Sequence, residues 1–217
     1  MKQITKHNIR NSLRRILLYH GLLVRLNTMG VTRVFSHTIA EGAGVTPEQV
    51  RKDFSEYGIR GNRRGGYLTA SLLREMEALF NRDRISNVIL VGMGNLGQAL
   101  SKYGRFIQRG INIVATFDID PYKQKARVDS SVYPPERLQE IIDRFRVKIA
   151  IIAVPDISAQ EVCNDLVNMG IRGIVNFSPV LLKVPVYVVV SNVNLSDEIE
   201  SVIWSVYRMK EGQSLFL

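Results

Sequence analysis

A chain of 217 residues with 46% hydrophobic content is long enough for one large or two small packed domains, which excludes a disordered chain. One cysteine, Cys163, excludes an intramolecular disulfide framework and a cysteine-based zinc cluster, and no apolar run reaches the roughly 18 residues of a spanning helix. The opening MKQITKHNIR is mixed and polar, so no secretory signal is expected and the chain reads as cytoplasmic.

The net charge of +9 is unevenly placed: residues 1–86 hold 15 Lys/Arg against 7 Asp/Glu, and residues 87–217 hold 14 against 13. A basic front attached to a near-neutral remainder suggests that only the first part meets a polyanion. Charge alone fits a solvated basic surface equally well.

In the front third, Ile9, Leu13, Ile16, Leu17, Leu23 and Val24 recur at helical spacing over 9–27, and Gly30 closes the run. Ser36 is placed to cap a short helix, SHTIAEGAG, with Ile39, Ala40 and Ala43 inward and Gly44 turning the chain. TPEQVRKDF marks a third helix: Thr46 as N-cap, Pro47 at the first position and Gln49 completing a capping box. This spacing is that of a helix-turn-helix, whose second helix enters the major groove. It would offer Glu48, Gln49, Arg51 and Lys52, flanked by Ser36 and Thr46. Gln49 suits adenine, Arg51 suits guanine, and Lys52 suits a phosphate. In EYGIRGNRRGGYLT, glycines 58, 61, 65 and 66 around Arg60, Arg63 and Arg64 describe a tight basic hairpin leading to Tyr67, a wing for the DNA backbone or minor groove.

A helix over 72–80, with Leu72, Leu73, Met76, Leu79 and Phe80 on one face, precedes the polar linker NRDRIS. NVILVGMGNLGQAL then runs an apolar strand into Gly92, Gly94 and Gly97, a G-x-G-x-x-G opening a helix expected to continue through Tyr103 and Phe106. The first glycine permits the turn, the second lets a pyrophosphate approach the backbone, and the third lets helix and strand pack closely. A second strand, NIVATF, ends in Asp118, 21 residues beyond Gly97, where a carboxylate accepts the ribose hydroxyls of NAD and repels a 2′-phosphate. Further elements alternate: a helix over 135–144, the strand IAIIAV, a helix over 158–169, and strands near GIVNF and VYVVV. That alternation implies an α/β fold with a mostly parallel Rossmann-type sheet, whose strand ends bring Val154, Pro155, Asn176 and Phe177 to the ligand crevice. The last helix, SDEIESVIWSVYRM, capped by Ser196, carries a stripe of Ile199, Val202, Ile203, Val206 and Tyr207 beside Trp204, read as a subunit contact. The expected units are a winged-helix domain over 1–82, a nucleotide-binding domain over 87–195, and a dimerising helix and tail over 196–217.

Together VTPEQVRKDFSEYG, VGMGNLGQAL with Tyr103, FDIDP, AVP-x-x-x-AQ and GIRGIVNFSPVLLKVP resemble the Rex family of redox-sensing transcriptional repressors over roughly residues 13–205. The resemblance implies a homodimer with exchanged C-terminal helices, bound to a palindromic operator and released when NADH replaces NAD+. It assigns the pyrophosphate to Gly92, Met93, Gly94, Asn95, Leu96 and Gly97, the adenosine ribose to Asp118, and a redox-responsive contact to Tyr103.

Departures from the family pattern open alternatives. Arg64 stands where glycine is usual, adding phosphate affinity. Gly21 and Asn194 replace the arginine and aspartate that pair between domains in the family, and KQKAR at 123–127 replaces K-x-G. A second reading therefore keeps the DNA binding but alters or removes the NADH response, with another adenine nucleotide or no ligand. An NAD-dependent dehydrogenase is the third reading, weakened because His7, His20 and His37 all lie in the N-terminal part. Cys163 as a thiol sensor is a fourth; beside Val162 and Leu166 it reads better as an inert core residue.

Overall fold

The structure, a computed structural model, describes residues 6–60, 65–80, 85–125 and 132–210. Contacts divide the chain into two compact units, Met1–Arg84 and Ile85–Leu217.

The first unit packs helices α1 (Lys6–Thr28), α2 (Ser36–Ala43), α3 (Pro47–Glu56) and α4 (Thr69–Leu79) around one core. A short antiparallel ribbon pairs β1 (Arg33–Val34) with β2 (Tyr67–Leu68). Two apolar stripes run along α1, and only one is buried: Ile16, Tyr19 and Leu23 are inside, while Leu13, Leu17 and Val24, expected inward, are exposed. Tyr19 supplies volume that an apolar count passes over, its ring edge-on to Phe54. Leu79, at the last residue of α4, is likewise exposed, while Leu72, Leu73 and Met76 are buried.

The turn between α2 and α3 forms as the residue types require. Gly44 ends α2 at φ +66°, and Thr46 Oγ1 accepts the N–H of Gln49 at 3.2 Å. Two expectations shift. Phe35, with no side-chain bond, precedes α2, and Ser36 is its first residue. Gln49 does not complete a capping box; its Nε2 donates to Asp53 Oδ1 at 2.7 Å. Asp53 is buried and also receives Arg15 Nε and Nη2, each at 2.7 Å, and the Tyr19 hydroxyl at 2.9 Å, which ties α3 to α1. Burial opposes its charge, but the bonds from Arg15, Tyr19 and Gln49 outweigh that and hold the carboxyl below the usual aspartate range. Gly61 to Arg64, the tip of the expected basic hairpin with Arg63 in it, lie outside the described residues; after them β2 pairs with β1, and a Cβ on Gly66 would stand 2.5 Å from the Val34 carbonyl oxygen.

The second unit holds β3 (Ser86–Val91), β4 (Ile111–Phe117), β5 (Val132–Tyr133), β6 (Ile149–Ile152), β7 (Gly173–Asn176) and β8 (Val189–Asn192) in one parallel sheet of order β5-β4-β3-β6-β7-β8. This is the doubly wound order, in which the strand order, laid down outward from β3 toward β5, switches to the other side at β6 and opens a crevice at the strand ends between β3 and β6. Its strands bury both faces: Ile89 and Val91 join one apolar cluster, Val88 and Leu90 the other. The helices are α5 (Asn95–Ser101), α6 (Arg105–Gln108), α7 (Pro121–Lys125), α8 (Leu138–Arg144) after a 3-10 turn at Pro135–Arg137, α9 (Asp156–Asn168) and α10 (Leu195–Lys210). The helix expected to run through Tyr103 and Phe106 stops at Ser101, and a separate α6 follows Gly104. The last strand begins at Val189, not Val186; a turn from Pro185 leaves Tyr187 under the Arg172 guanidinium. Asn194, not Ser196, caps α10, accepting the Ser196 N–H at 3.0 Å. The expected α10 stripe of Ile199, Val202, Ile203, Val206 and Tyr207 is exposed, with Trp204. Cys163 is fully buried and burial pushes its thiol pKa up, opposite to what a reactive sensor needs.

Removing one partner of the Asp53 network leaves a charge inside. Asp53→Ala is expected to destabilise the first unit by the lower part of about 3–5 kcal/mol, because Arg15 is partly hydrated; urea unfolding followed by circular dichroism measures it. The native Asp53 value lies below the ordinary 3.8, so its stabilisation is complete above 3.8 and disappears as pH falls through the lower native value. An Asp53→Ala variant should lack that acid-limb loss. Cys163, in turn, is expected to resist a thiol reagent in the folded protein and to react in full once urea unfolds it.

Candidate functional site

At the reversal point, β3 ends in a turn that only glycine allows at two places. Gly92 has φ +100° and a Cβ there would stand 2.4 Å from the Ala153 carbonyl oxygen; a Cβ on Gly97 would meet the Gly92 carbonyl oxygen at 1.9 Å. Gly94 is different: nothing lies within 4 Å of its would-be Cβ, so its open side faces space that a ligand can occupy. α5 starts next to it at Asn95 with no side-chain cap.

That space is a cavity of roughly 780 Å³, within the range of small-molecule sites. Of the expected cofactor residues, Gly92, Gly94, Asn95, Leu96, Asp118, Val154, Pro155 and Phe177 line it. Met93, Gly97, Tyr103 and Asn176 are not among the residues lining it. Met93 is buried and gives its backbone N–H to Asp118 Oδ2 at 2.7 Å. Tyr103 is half exposed and packs edge-on against Phe106. Asn176 is fully buried: its amide donates to Val180 O at 2.7 Å and Asn192 Oδ1 at 3.0 Å and accepts from Ser178 N at 3.0 Å. It shapes the loop after β7 and so positions Phe177.

Asp118 is nearly buried at the end of β4. Oδ2 takes the Met93 N–H and the Lys123 ammonium at 2.9 Å, and Oδ1 takes the Asp120 N–H at 2.9 Å. Burial disfavours the charge, yet the Asp120 N–H, Lys123 and the Met93 N–H together keep the carboxyl below its ordinary range. Oδ1 keeps acceptor capacity for a hydroxyl. Lys123 offsets part of the negative charge, while Asp120, Glu161 and Asp165 restore it around the same cavity. Sequence reasoning missed the α9 contribution: Ser158, Glu161, Val162 and Asp165 recur at i, i+3, i+4 and i+7 and form the cavity wall. The signal was a mixed stripe adjoining the buried Ala159, Cys163 and Leu166, which by itself reads as solvated surface.

In the first unit, the exposed flank of α3 carries Glu48, Arg51 and Lys52. Arg51 Nη2 donates to Glu48 Oε1 at 2.6 Å and its Nη1 to Ser36 Oγ at 3.0 Å. Gln49 is tied to Asp53, so its amide is held at the α1 side of the helix. Arg60 is exposed and shares a groove with Arg33, Glu75 and the half-buried Tyr67, whose ring packs edge-on to Phe54. Arg33, which motif reading did not single out, donates to the Gly65 carbonyl beside the β1–β2 ribbon.

A helix-turn-helix unit and a doubly wound sheet with a glycine-turn cavity define a class: regulators that carry a nucleotide-type domain behind a DNA-binding one. Residues 10–55 match the family model described as a putative DNA-binding protein N-terminus, and residues 83–180 match the CoA binding domain. The redox-sensing transcriptional repressor Rex of Pelotomaculum thermopropionicum is 41% identical over 92% of this chain and 94% of its own. That of Oenococcus oeni is 38% identical over 91% and 92%. Among solved structures, RSP, a Rex-family repressor, in complex with β-NAD+ and operator DNA superposes at TM-score 0.85 with 32% identity, covering 99% of this chain and 100% of that one. RSP in complex with β-NADH superposes at 0.83 with 32% identity, covering 97% of each. The chain belongs to the Rex family of redox-sensing transcriptional repressors.

The two glycines make opposite predictions. Gly97→Ala forces a methyl into a carbonyl and is expected to destabilise the second unit by at least about 1–3 kcal/mol. Gly94→Ala should leave the thermal midpoint nearly unchanged. Differential scanning calorimetry of both variants checks the pair.

Proposed function

We infer that this chain is a transcriptional repressor that binds operator DNA through its first unit and reads the NADH/NAD+ ratio through its second. The observation that carries this is the glycine turn opening at Gly94 into a cavity with Asp118 at one wall. NAD(H) fits the residues present: the turn from Gly92 to Gly97 holds the pyrophosphate, Asp118 Oδ1 accepts a ribose hydroxyl, and Val154, Pro155 and Phe177 border the nicotinamide end. The cofactor acts as a signal whose oxidation state is sensed. The three histidines all precede residue 85, which leaves the cavity lining of the second unit without an imidazole base. Among the described residues lining the cavity, the carboxylates of Asp118, Asp120, Glu161 and Asp165 outnumber the ammonium of Lys123 and favour a ligand without a ribose phosphate, NAD(H) over NADP(H).

On the DNA side, Arg51 reads a base edge, Lys52 and Arg60 meet phosphates, and Ser36 and Thr46 set the approach of α3. Arg63 and Arg64, which lie outside the described residues, are candidate phosphate contacts on the sequence alone. Dimerisation through α10 is supported by its exposed apolar face, and a two-fold dimer calls for a palindromic operator. No helix among the described residues is long and apolar enough to cross a membrane.

A second reading, DNA binding with an altered redox response, is favoured by one observation. Asn194 spends its side chain on Ser196 N and Asp197, and position 21 is glycine, so neither site offers the charge that pairs between domains in the family.

Fluorescence anisotropy of operator DNA at fixed salt, titrated with NADH and NAD+ separately, decides between them. The expected outcome is release by NADH and none by NAD+, with Gly94→Ala shifting the NADH midpoint upward by about tenfold, roughly 1.4 kcal/mol. Binding indifferent to both nucleotides would establish the second reading.

A further inference from the structure

The outward face of α3 carries an acid among bases. Val50, Asp53 and Phe54 are buried, which turns Glu48, Lys52 and Ser55 to the opposite side with Arg51 next to them, all exposed. A carboxylate there opposes the general attraction of a basic unit to phosphates. As an exposed pair three residues apart, Glu48 and Arg51 contribute little to stability. Their arrangement is informative in another way. The Arg51 guanidinium is held from two sides: Nη2 on Glu48 at 2.6 Å, and Nη1 on Ser36 Oγ, from the neighbouring helix α2, at 3.0 Å. Two separate anchors fix the plane of a group that otherwise samples many rotamers. The guanidinium has five N–H donors, so three remain for a ligand, and a carboxylate has acceptor capacity beyond one bond. Fixed donors beside an acceptor match one base pair in particular: guanine presents O6 and N7 acceptors in the major groove, and cytosine presents the N4 amino donor.

We propose that Glu48 and Arg51 act as one unit that reads a G·C pair, with Glu48 as the specificity-determining residue. Arg51 donates to guanine, and the Glu48 carboxylate accepts from cytosine N4 while repelling the acceptor O4 of thymine. Glu48 thereby lowers affinity for most sequences and raises discrimination for one. This rests on the reading of α3 as the helix that enters the major groove.

The alternative role for Glu48 is structural, as an acid in the first turn of a helix. Glu48→Asp separates the two, since it keeps the charge in that turn but is one methylene short of Arg51. Full-length wild type, Glu48→Asp and Glu48→Ala would each select duplexes from a randomised pool, with melting temperatures and binding to an unrelated duplex measured alongside. Wild type is expected to enrich a G·C pair at one position of each half-site. Glu48→Asp should melt with wild type yet lose that preference by about five- to a hundredfold. Glu48→Ala should lose it too and bind the unrelated duplex more tightly. An unchanged preference in Glu48→Ala, or a lower melting temperature with the preference intact, would overturn the proposal and leave a helix-stabilising acid. No enrichment by wild type would sink the DNA-binding reading itself, and this inference with it.

Discussion

The contact on which the second unit turns is the Asp118 carboxylate receiving the backbone N–H of Met93. It joins the end of β4 to the glycine turn after β3, two segments 25 residues apart. Neither segment holds this geometry alone: the turn needs a partner for its N–H, and a nearly buried carboxylate needs donors. Once paired, the turn lies flat against Ala153, Gly97 fits beneath Gly92, and the open side of Gly94 faces the crevice. The cavity is a consequence of how that one bond positions backbone, and only then of the side chains around it.

Asp53 plays a comparable part in the first unit. It gathers Arg15, Tyr19 and Gln49, three side chains from two helices, onto one buried carboxylate. Apolar packing of Ile16, Leu23, Val50 and Phe54 drives α1 and α3 together without specifying their register, whereas a charged network has few satisfactory arrangements. The side of α3 left over is thereby determined: Glu48, Arg51 and Lys52 face outward because residues 50, 53 and 54 cannot. Here an exposed, charged surface is set by a carboxylate that is itself buried.

Family membership and the departures at positions 21 and 194 pull in different directions. The glycine turn, the crevice and the helix-turn-helix all keep the geometry their chemistry needs. The Asn194 side chain is instead absorbed locally as the α10 cap. Capping accounts for a polar residue at position 194 without any reference to a distant arginine.

By itself the sequence determined the elements with strong local signatures. Thr46, Pro47 and Gly44 placed the turn before α3, and alternation of apolar runs with G-x-G-x-x-G and Asp118 placed the sheet and its crevice, because capping, left-handed turns and strand burial act over a few residues. What only tertiary structure decided was which of two candidate surfaces each side chain took. Leu13 and Leu17 were apolar yet exposed, Tyr19 and Asp53 polar yet buried, and Asn176 supports the crevice without lining it. Ser158, Glu161 and Asp165 form a cavity wall only because Asp118 and Leu138, distant in the chain, lie on the same cavity. Burial depends on partners far away in the chain, and a buried polar group is stable only where those partners return its hydrogen bonds, which no local pattern of residues encodes.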